Sequence, residues 1–198
     1  MFNRKISKKQ SLFLSFLGIV LPVLVWAAVS YSGLIKPLFL PTPSAVLESA
    51  VKLSLDFGLL KDILISTYRI LLGFVLAIII SVPLGIYLGI SKKGEALFEP
   101  IISFVRYIPP SAFVPLSILW FGIGELQKAL FIFLTVVPYL TLLVFDVVVS
   151  TKREFIEAGY TLGAKPKDII FRVIVPQSLP GIWDAIRIMI AVAWTFVV

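Results

Sequence analysis

The sequence predicts an all-α protein that crosses a membrane several times as a helical bundle. Of its 198 residues, 59% are hydrophobic and only 15% are charged, whereas soluble domains have roughly half and a quarter. The apolar residues also form long uncharged runs: Leu12–Val29, Ile70–Ile90, Tyr107–Gly124 and Ala129–Phe145. About 20 apolar residues cross a bilayer core of ~30 Å, and backbone polar groups in lipid require helices.

A fifth apolar run, Gly181–Val198, contains Asp184 and Arg187. Its uncharged part, Ile188–Val198, rises only about 16 Å at 1.5 Å per residue, which is too short to cross the bilayer alone. We therefore expect about five visible spans and a chain that is truncated at its C-terminus. We interpret the first run as a retained span, with a cleaved signal peptide as the alternative.

The distribution of basic residues predicts which end of the chain lies inside the cell. If the spans alternate, eleven of the 18 lysines and arginines share the side of the N-terminus, and four lie on the other side. Cytoplasmic loops are enriched in these residues. We therefore predict a multi-pass membrane protein, with residues 1–11 cytoplasmic and residues 12–198 forming one transmembrane domain.

The chain has no cysteine and no histidine, and its formal net charge is +7. The lack of cysteine and histidine excludes thiol chemistry, histidine-based zinc sites and a Ser-His-Asp triad in this chain. The positive charge follows the membrane topology, so a nucleic-acid partner is not expected. We also expect no catalytic residues and no metal site.

Local patterns predict several helix boundaries and contacts on the outer side and in the second span. Thr42 and Pro43 fit the N-cap and first position of a short helix within the external segment 30–62. In the second span, Gly73, Gly85 and Gly89 permit the close approach of another helix. Pro83 is expected to bend this span.

The third apolar region, Phe98–Gly124, contains the adjacent prolines Pro109 and Pro110. A break in a membrane helix is tolerated only where it faces protein or a water-filled cavity. We therefore predict a kinked span at the translocation path, with Arg106 meeting an anionic substrate. The alternative is an interfacial Arg106 that reaches the headgroups or pairs with Glu99.

The longest hydrophilic segment, residues 150–180, is predicted to form two short helices on the cytoplasmic side. Thr151 and Glu154 fit a capping box at the start of the first helix. Gly163 fits the position that ends this helix, and Pro166 the start of the second, which we expect to end near Pro176.

One face of the first short helix combines large and small side chains: Phe155, Ala158, Gly159 and Leu162 share it at helical spacing. Such a face fits the groove of a partner protein. It fits equally a hairpin that merely covers the end of the bundle, and the residues alone leave both interpretations open.

The spacing of this segment resembles the cytoplasmic signature of ABC importer permeases. That signature is Glu-Ala-Ala, three residues, Gly, nine residues, Ile, one residue, Leu-Pro, and the matching positions are Glu157, Ala158, Gly159, Gly163, Val173, Val175 and Pro176. Gly159, Val173 and Val175 depart from it in residue type but remain small or aliphatic. Leu40–Val46 and Arg106–Pro110 are similar to the sulfonate, nitrate and taurine permeases of this family.

The resemblance implies a type I ABC importer permease fold and a coupling helix that docks on an ATPase subunit. It implies two ATPase copies that bind ATP and Mg²⁺, a second permease copy in a homodimer and an extracytoplasmic solute-binding protein. The nearest approach to a P-loop, Gly163–Lys167, lacks that motif, so no cofactor is expected in this chain. A secondary transporter remains the alternative, although Asp146 is thin support for an ion site.

Overall fold

A computed structural model describes residues 7–196, and within that range it contains helices and no strand. The basic residues Arg4 and Lys5 and the last two positions of the predicted fifth run lie outside the described residues. The helices are α1 Lys8–Tyr31, α2 Pro43–Asp56, α3 Leu59–Ile90, α4 Lys92–Arg106, α5 Pro110–Phe121, α6 Glu125–Val149, α7 Arg153–Thr161, α8 Pro166–Ile169, a π-helical segment Ile170–Ile174 and α9 Val175–Trp194.

Four helical stretches of the described chain are long and apolar enough to cross a membrane. They are α1, α3, α6 and the continuous stretch Pro166–Trp194. Helices α4 and α5 together meet the same test but are bent by 96°, as in a broken span or a re-entrant loop. The predicted all-α bundle of about five spans is therefore confirmed.

The chain divides into two compact units at Ile63. In the first unit, α2 begins as predicted, because Thr42 Oγ1 accepts a hydrogen bond from the Ala45 N–H at 3.3 Å and Pro43 is the first helical residue. The start of α2 is tied to α1 by Trp26 Nε1, which donates to the Pro41 carbonyl at 3.0 Å.

The core of the second unit is built around α6, whose buried positions recur along its length. Helices α4, α5 and α9 pack against α6. Apolar side chains from α3, α6 and α9 form one continuous core, which includes Ile70, Phe74, Ala77, Ile132, Val136, Leu140, Val144, Ile182, Ala185 and Met189.

Helix α3 approaches α6 through the predicted small residues. A Cβ atom on Gly85 would lie 2.7 Å from Val144 Cβ, and one on Gly73 would collide with the Ala129 carbonyl. Between them, the buried Ser81 donates from Oγ to the Val137 carbonyl at 3.2 Å. The expected close approach is thus confirmed, and it brings the two backbones within reach of each other.

Candidate functional site

The segment after α6 forms two short helices, but the first starts differently from the prediction. The predicted capping box of Thr151 and Glu154 is wrong: Lys152 occupies the N-cap position of α7 and makes no side-chain cap bond. Thr151 Oγ1 instead lies 3.3 Å from Ser178 Oγ on α9. The hydroxyl therefore links the segment to the last span, a tertiary contact that competes with local capping.

The end of α7 is the predicted glycine turn. Gly163 has a φ of +79°, the left-handed conformation that residues with a Cβ adopt at a cost. Its N–H donates to the Tyr160 carbonyl at 2.9 Å, and the Ala164 N–H donates to the Gly159 carbonyl at 3.1 Å. These are the two hydrogen bonds of a Schellman motif, which closes the last turn of the helix.

The second helix begins at Pro166 as predicted, but it does not end near Pro176. It passes through the π-helical segment, in which the Val175 N–H donates to the Ile170 carbonyl, and continues as α9. A π turn widens the helix by one residue, so Pro176 falls where the helix changes register, and its missing N–H and its ring are tolerated there. The predicted boundary is therefore wrong, and the short helices are connected directly to the last span.

Helix α7 packs against α8 through Gly159. A Cβ at this position would collide with Ile169 Cδ1, and Ile169 is buried. This contact leaves an open groove between α7 and the start of α9, lined by Phe155, Ala158, Gly159, Leu162, Arg172, Val173, Pro176 and Gln177. The shared face that the sequence predicts for α7 therefore lines a groove.

The structure brings four of the seven predicted coupling residues to this groove and separates three. Glu157 is exposed, and its Oε1 lies 3.8 Å from Arg153 Nε. Gly163 lies in the turn. Val175 lines a different apolar depression, together with Pro83 and Tyr87 of α3. The signature residues therefore serve the turn, the groove and the attachment to α3 separately.

The predicted break in the third span lies between α4 and α5. Arg106 is the last residue of α4, Pro109 is the N-cap of α5 and Pro110 is its first residue. The Arg106 carbonyl accepts a hydrogen bond from the Tyr139 hydroxyl of α6 at 2.8 Å. This bond satisfies one of the polar groups that the break leaves open.

The Arg106 guanidinium lies 5.4 Å from the centre of the Tyr107 ring, within the range of a cation–π contact. Glu99 accepts a hydrogen bond from Ser103 Oγ at 2.6 Å. Among the described residues no ion pair joins Arg106 to Glu99, so the pairing that the sequence left open is not formed here.

The sequence interpretation missed a polar cluster at the other end of α6. Arg69 Nη2 of α3 lies 2.6 Å from Glu125 Oε2, and Lys128 Nζ lies 3.6 Å from Glu125 Oε1. Beside them, Gln127 Nε2 donates to Ser117 Oγ of α5. A signal was present: Arg69 precedes Gly73 by four residues, so it continues the face of α3 that meets α6.

A bundle of four or five spans that carries a short amphipathic helical pair at one end has the architecture of a multi-pass membrane protein with a peripheral helical element. Residues 81–198 match the family described as binding-protein-dependent transport system inner membrane component. The chain belongs to this family and is a membrane permease subunit of the ABC importer type.

Two relatives support this assignment, and one solved structure shows the same fold. The taurine transport system permease protein TauC of Escherichia coli K12 is 34% identical over 98% of this chain and 71% of its own length. A probable ABC transporter permease protein of Brucella melitensis is 42% identical over 80% of this chain, which spans only 65% of that relative. An inward-facing MetNI methionine ABC transporter shares the fold, with a TM-score of 0.63 and 19% identity over 72% of this chain and 73% of its own.

Proposed function

We propose that the chain forms the translocation path of an importer for a small solute such as a sulfonate, nitrate, taurine or a related compound. An extracytoplasmic binding protein delivers the solute, and a separate ATPase subunit binds ATP with Mg²⁺ and supplies the energy. The identity to the taurine permease supports this solute class. Two copies of the permease and two of the ATPase form the assembly, with the N-terminus cytoplasmic at the inner membrane.

The observation that carries this proposal is the exposed face of α7. Leu162 at the end of this helix is 87% exposed, and Phe155, two turns earlier on the same face, is 46% exposed. Large apolar side chains on a short peripheral helix are buried when a partner covers them. A short helix with such a face suits the helix-in-groove mode of recognition, so we propose that Glu157, Gly159 and their neighbours on α7 contact the ATPase.

The connection from α8 to α9 explains how a movement of the ATPase reaches the membrane. The helical path from Pro166 to Trp194 is uninterrupted, and α9 packs against α6 at the centre of the core. Packed helices shift as units rather than deform continuously. A displacement of α7 and α8 when ATP closes the ATPase pair therefore tilts α9 against α6 and changes access to the path beside Arg106.

The test is affinity purification of the full-length protein from its native membrane in mild detergent. We expect a P-loop ATPase in a near-equal amount. Glu157→Lys should reduce this recovery at least about fivefold, because it places a repulsive charge in the contact. Glu48→Lys makes the same charge change at an exposed position of α2, outside the proposed contact, and should retain the ATPase. Purification of the chain without an ATPase in several mild detergents would refute the proposal.

A further inference from the structure

A cavity of about 210 Å³ lies in the second unit among α3, α5 and α6. One water molecule needs roughly 10–15 Å³ of such volume, so this cavity admits a small molecule. Its wall combines charged, polar and apolar side chains: Arg69, Val114, Ile118, Gln127, Lys128, Phe131, Ile132 and Phe196.

The charge in this wall is unbalanced. Both cations, Arg69 and Lys128, contact the same carboxylate, that of Glu125, at 2.6 Å and 3.6 Å. One negative charge therefore faces two positive charges, and the cluster carries a net charge of +1. Because the Arg69 side chain is only 11% exposed, its charge is less screened by solvent than that of a surface arginine.

Arg69 also has an unused donor. Its Nε atom is buried and has no hydrogen-bond partner among the described residues. Buried polar groups in native proteins are almost always paired, so an unpaired one calls for an explanation. Arg69 also lines the adjacent cavity, and a rotation of its side chain would bring the unpaired donor to an anion there.

The remaining wall sets the size and polarity of the ligand. Gln127 Nε2 is already engaged by Ser117 Oγ, which in turn donates to the Val114 carbonyl at 2.8 Å. The other lining residues, among them Ile118 and Phe131, are apolar. The cavity therefore presents a cationic corner and an apolar wall, which suits a compact anion with a short apolar body.

We propose that this cavity binds the acidic group of the transported solute, a sulfonate or carboxylate, through the side chains of Arg69 and Lys128. The proposal rests on the proposed function and deepens it, since it locates the solute within the permease. Glu125 competes with the solute for both cations, which keeps the affinity low enough for release, as a transport site requires.

A phosphate of a lipid headgroup shares this chemistry. We commit to the soluble anion because the cavity holds only about 210 Å³ and reaches Ile132 and Phe131, which are buried in the core of the unit, so it has room for a small molecule but not for a lipid with its acyl chains. With the N-terminus cytoplasmic, the cavity lies near the outer end of α6, where a solute leaving the binding protein would enter.

The 198 residues of the chain contain no cysteine, so a single introduced cysteine can be labelled selectively. A single cysteine replaces Ile118 in the cavity wall of the full-length permease, with serine at any cysteine elsewhere, in nanodiscs of phosphatidylcholine. Its modification rate is measured with an anionic reagent, sulfonatoethyl methanethiosulfonate, and with its cationic trimethylammonioethyl counterpart. Ile123→Cys, 89% exposed and outside the cavity, is the matched control.

We expect the anionic-to-cationic rate ratio at Ile118→Cys to exceed that at Ile123→Cys by roughly tenfold, because a net positive charge raises the local concentration of anions. Arg69→Gln should remove most of this excess, whereas Arg69→Lys should retain a part of it. If Arg69→Gln gives no folded protein, Lys128→Gln, a change at a more exposed side chain, should lower the ratio about threefold. Equal ratios at the two cysteines would overturn the proposal.

Protection against modification identifies the ligand. Ethanesulfonate should slow the reaction at Ile118→Cys, and its neutral analogue ethyl methyl sulfone should not. Protection by added phosphatidylglycerol but not by ethanesulfonate would assign the site to a lipid and overturn the proposal. The preference for the anionic reagent does not depend on ATP. A protein that lacks this preference but still copurifies with an ATPase would refute the cavity site alone.

A protein that shows the preference but copurifies with no ATPase would refute the importer assembly alone.

Discussion

Gly163 shows how a single residue fixes the geometry of the segment of residues 150–180. Its positive φ and the two Schellman hydrogen bonds turn the chain from α7 into α8. The sequence predicts this turn because the left-handed conformation of glycine is a local property, which needs no knowledge of the rest of the fold.

We expect Gly163→Asp to abolish uptake while the protein still inserts in the membrane. A Cβ in the left-handed region costs about 1–2 kcal/mol, and the new carboxylate lies at the negative end of the α7 dipole. No atom lies within 4 Å of the position that its Cβ would occupy, so the effect is confined to the turn. Uptake is measured with whichever of taurine, nitrate or ethanesulfonate the wild-type protein transports.

The matched control for this variant is Gly58→Asp. Gly58 has a φ of +70° and equally open surroundings, but it lies in the loop between α2 and α3. The variant has the same backbone strain but lies outside residues 150–180, so it should keep at least about half of the wild-type uptake. Normal uptake by Gly163→Asp would contradict the role given to the turn.

Two other residues show where local reasoning fails. Thr151 matches a capping box by sequence, yet its hydroxyl contacts Ser178, 27 positions further along the chain. Arg69 reads as one of several basic residues near a span, although its partner, Glu125, lies at the start of another helix. Both roles depend on which helices are neighbours, and local patterns do not contain that information.

At the scale of elements, the last span begins earlier than its hydropathy indicates. Proline normally disfavours helix continuation through its neighbours, and this rule alone places a boundary near Pro176. The π-helical segment Ile170–Ile174 removes the conflict and joins α8 to α9. A π turn has no simple sequence pattern, so this continuity could be found only in the structure.

The contact between α3 and α6 was easier to predict. Gly73, Ala77, Ser81, Gly85 and Gly89 recur every four residues and therefore share one face of α3. Small residues on one face of a span predict a close helix contact, although they do not identify the partner helix. The structure supplies α6 as that partner.

We expect Gly85→Val to destabilise the bundle by about 1–3 kcal/mol, the usual cost of overpacking. The added Cβ would lie 2.7 Å from both the Thr141 carbonyl oxygen and Val144 Cβ, and the backbone atom cannot move aside by a rotamer change. The measurement is the midpoint of thermal unfolding in detergent.

Gly18→Val in α1 is the control for Gly85→Val, since no atom lies within 4 Å of its added Cβ. It introduces the same side chain into an apolar helix and should leave the midpoint nearly unchanged. Equal midpoints for the two variants would mean that the approach of α3 to α6 does not limit stability.

At the scale of the whole molecule, composition and uncharged runs were sufficient to predict a helical membrane protein. They gave the number of spans because apolar length relates directly to bilayer thickness. They did not give the 96° bend between α4 and α5. This bend is held partly by the hydrogen bond from Tyr139 to the Arg106 carbonyl, a contact that joins residues far apart in the sequence.

The orientation of the second unit in the membrane can be tested with the same cysteine-free background. Ile123 and Leu162 are 89% and 87% exposed, and they flank α6, which has 25 residues and a length of roughly 37 Å at 1.5 Å per residue. If α6 crosses the membrane, a cysteine at one site faces outward and a cysteine at the other faces inward. The excess of basic residues on the side of Leu162 predicts that this side is cytoplasmic.

The experiment uses cells whose outer membrane is permeabilised and whose inner membrane is intact. An impermeant maleimide should label Ile123→Cys and spare Leu162→Cys until the inner membrane is opened. The reverse labelling would place α7 outside, where no ATPase could reach it, and labelling of both sites would show that α6 does not span.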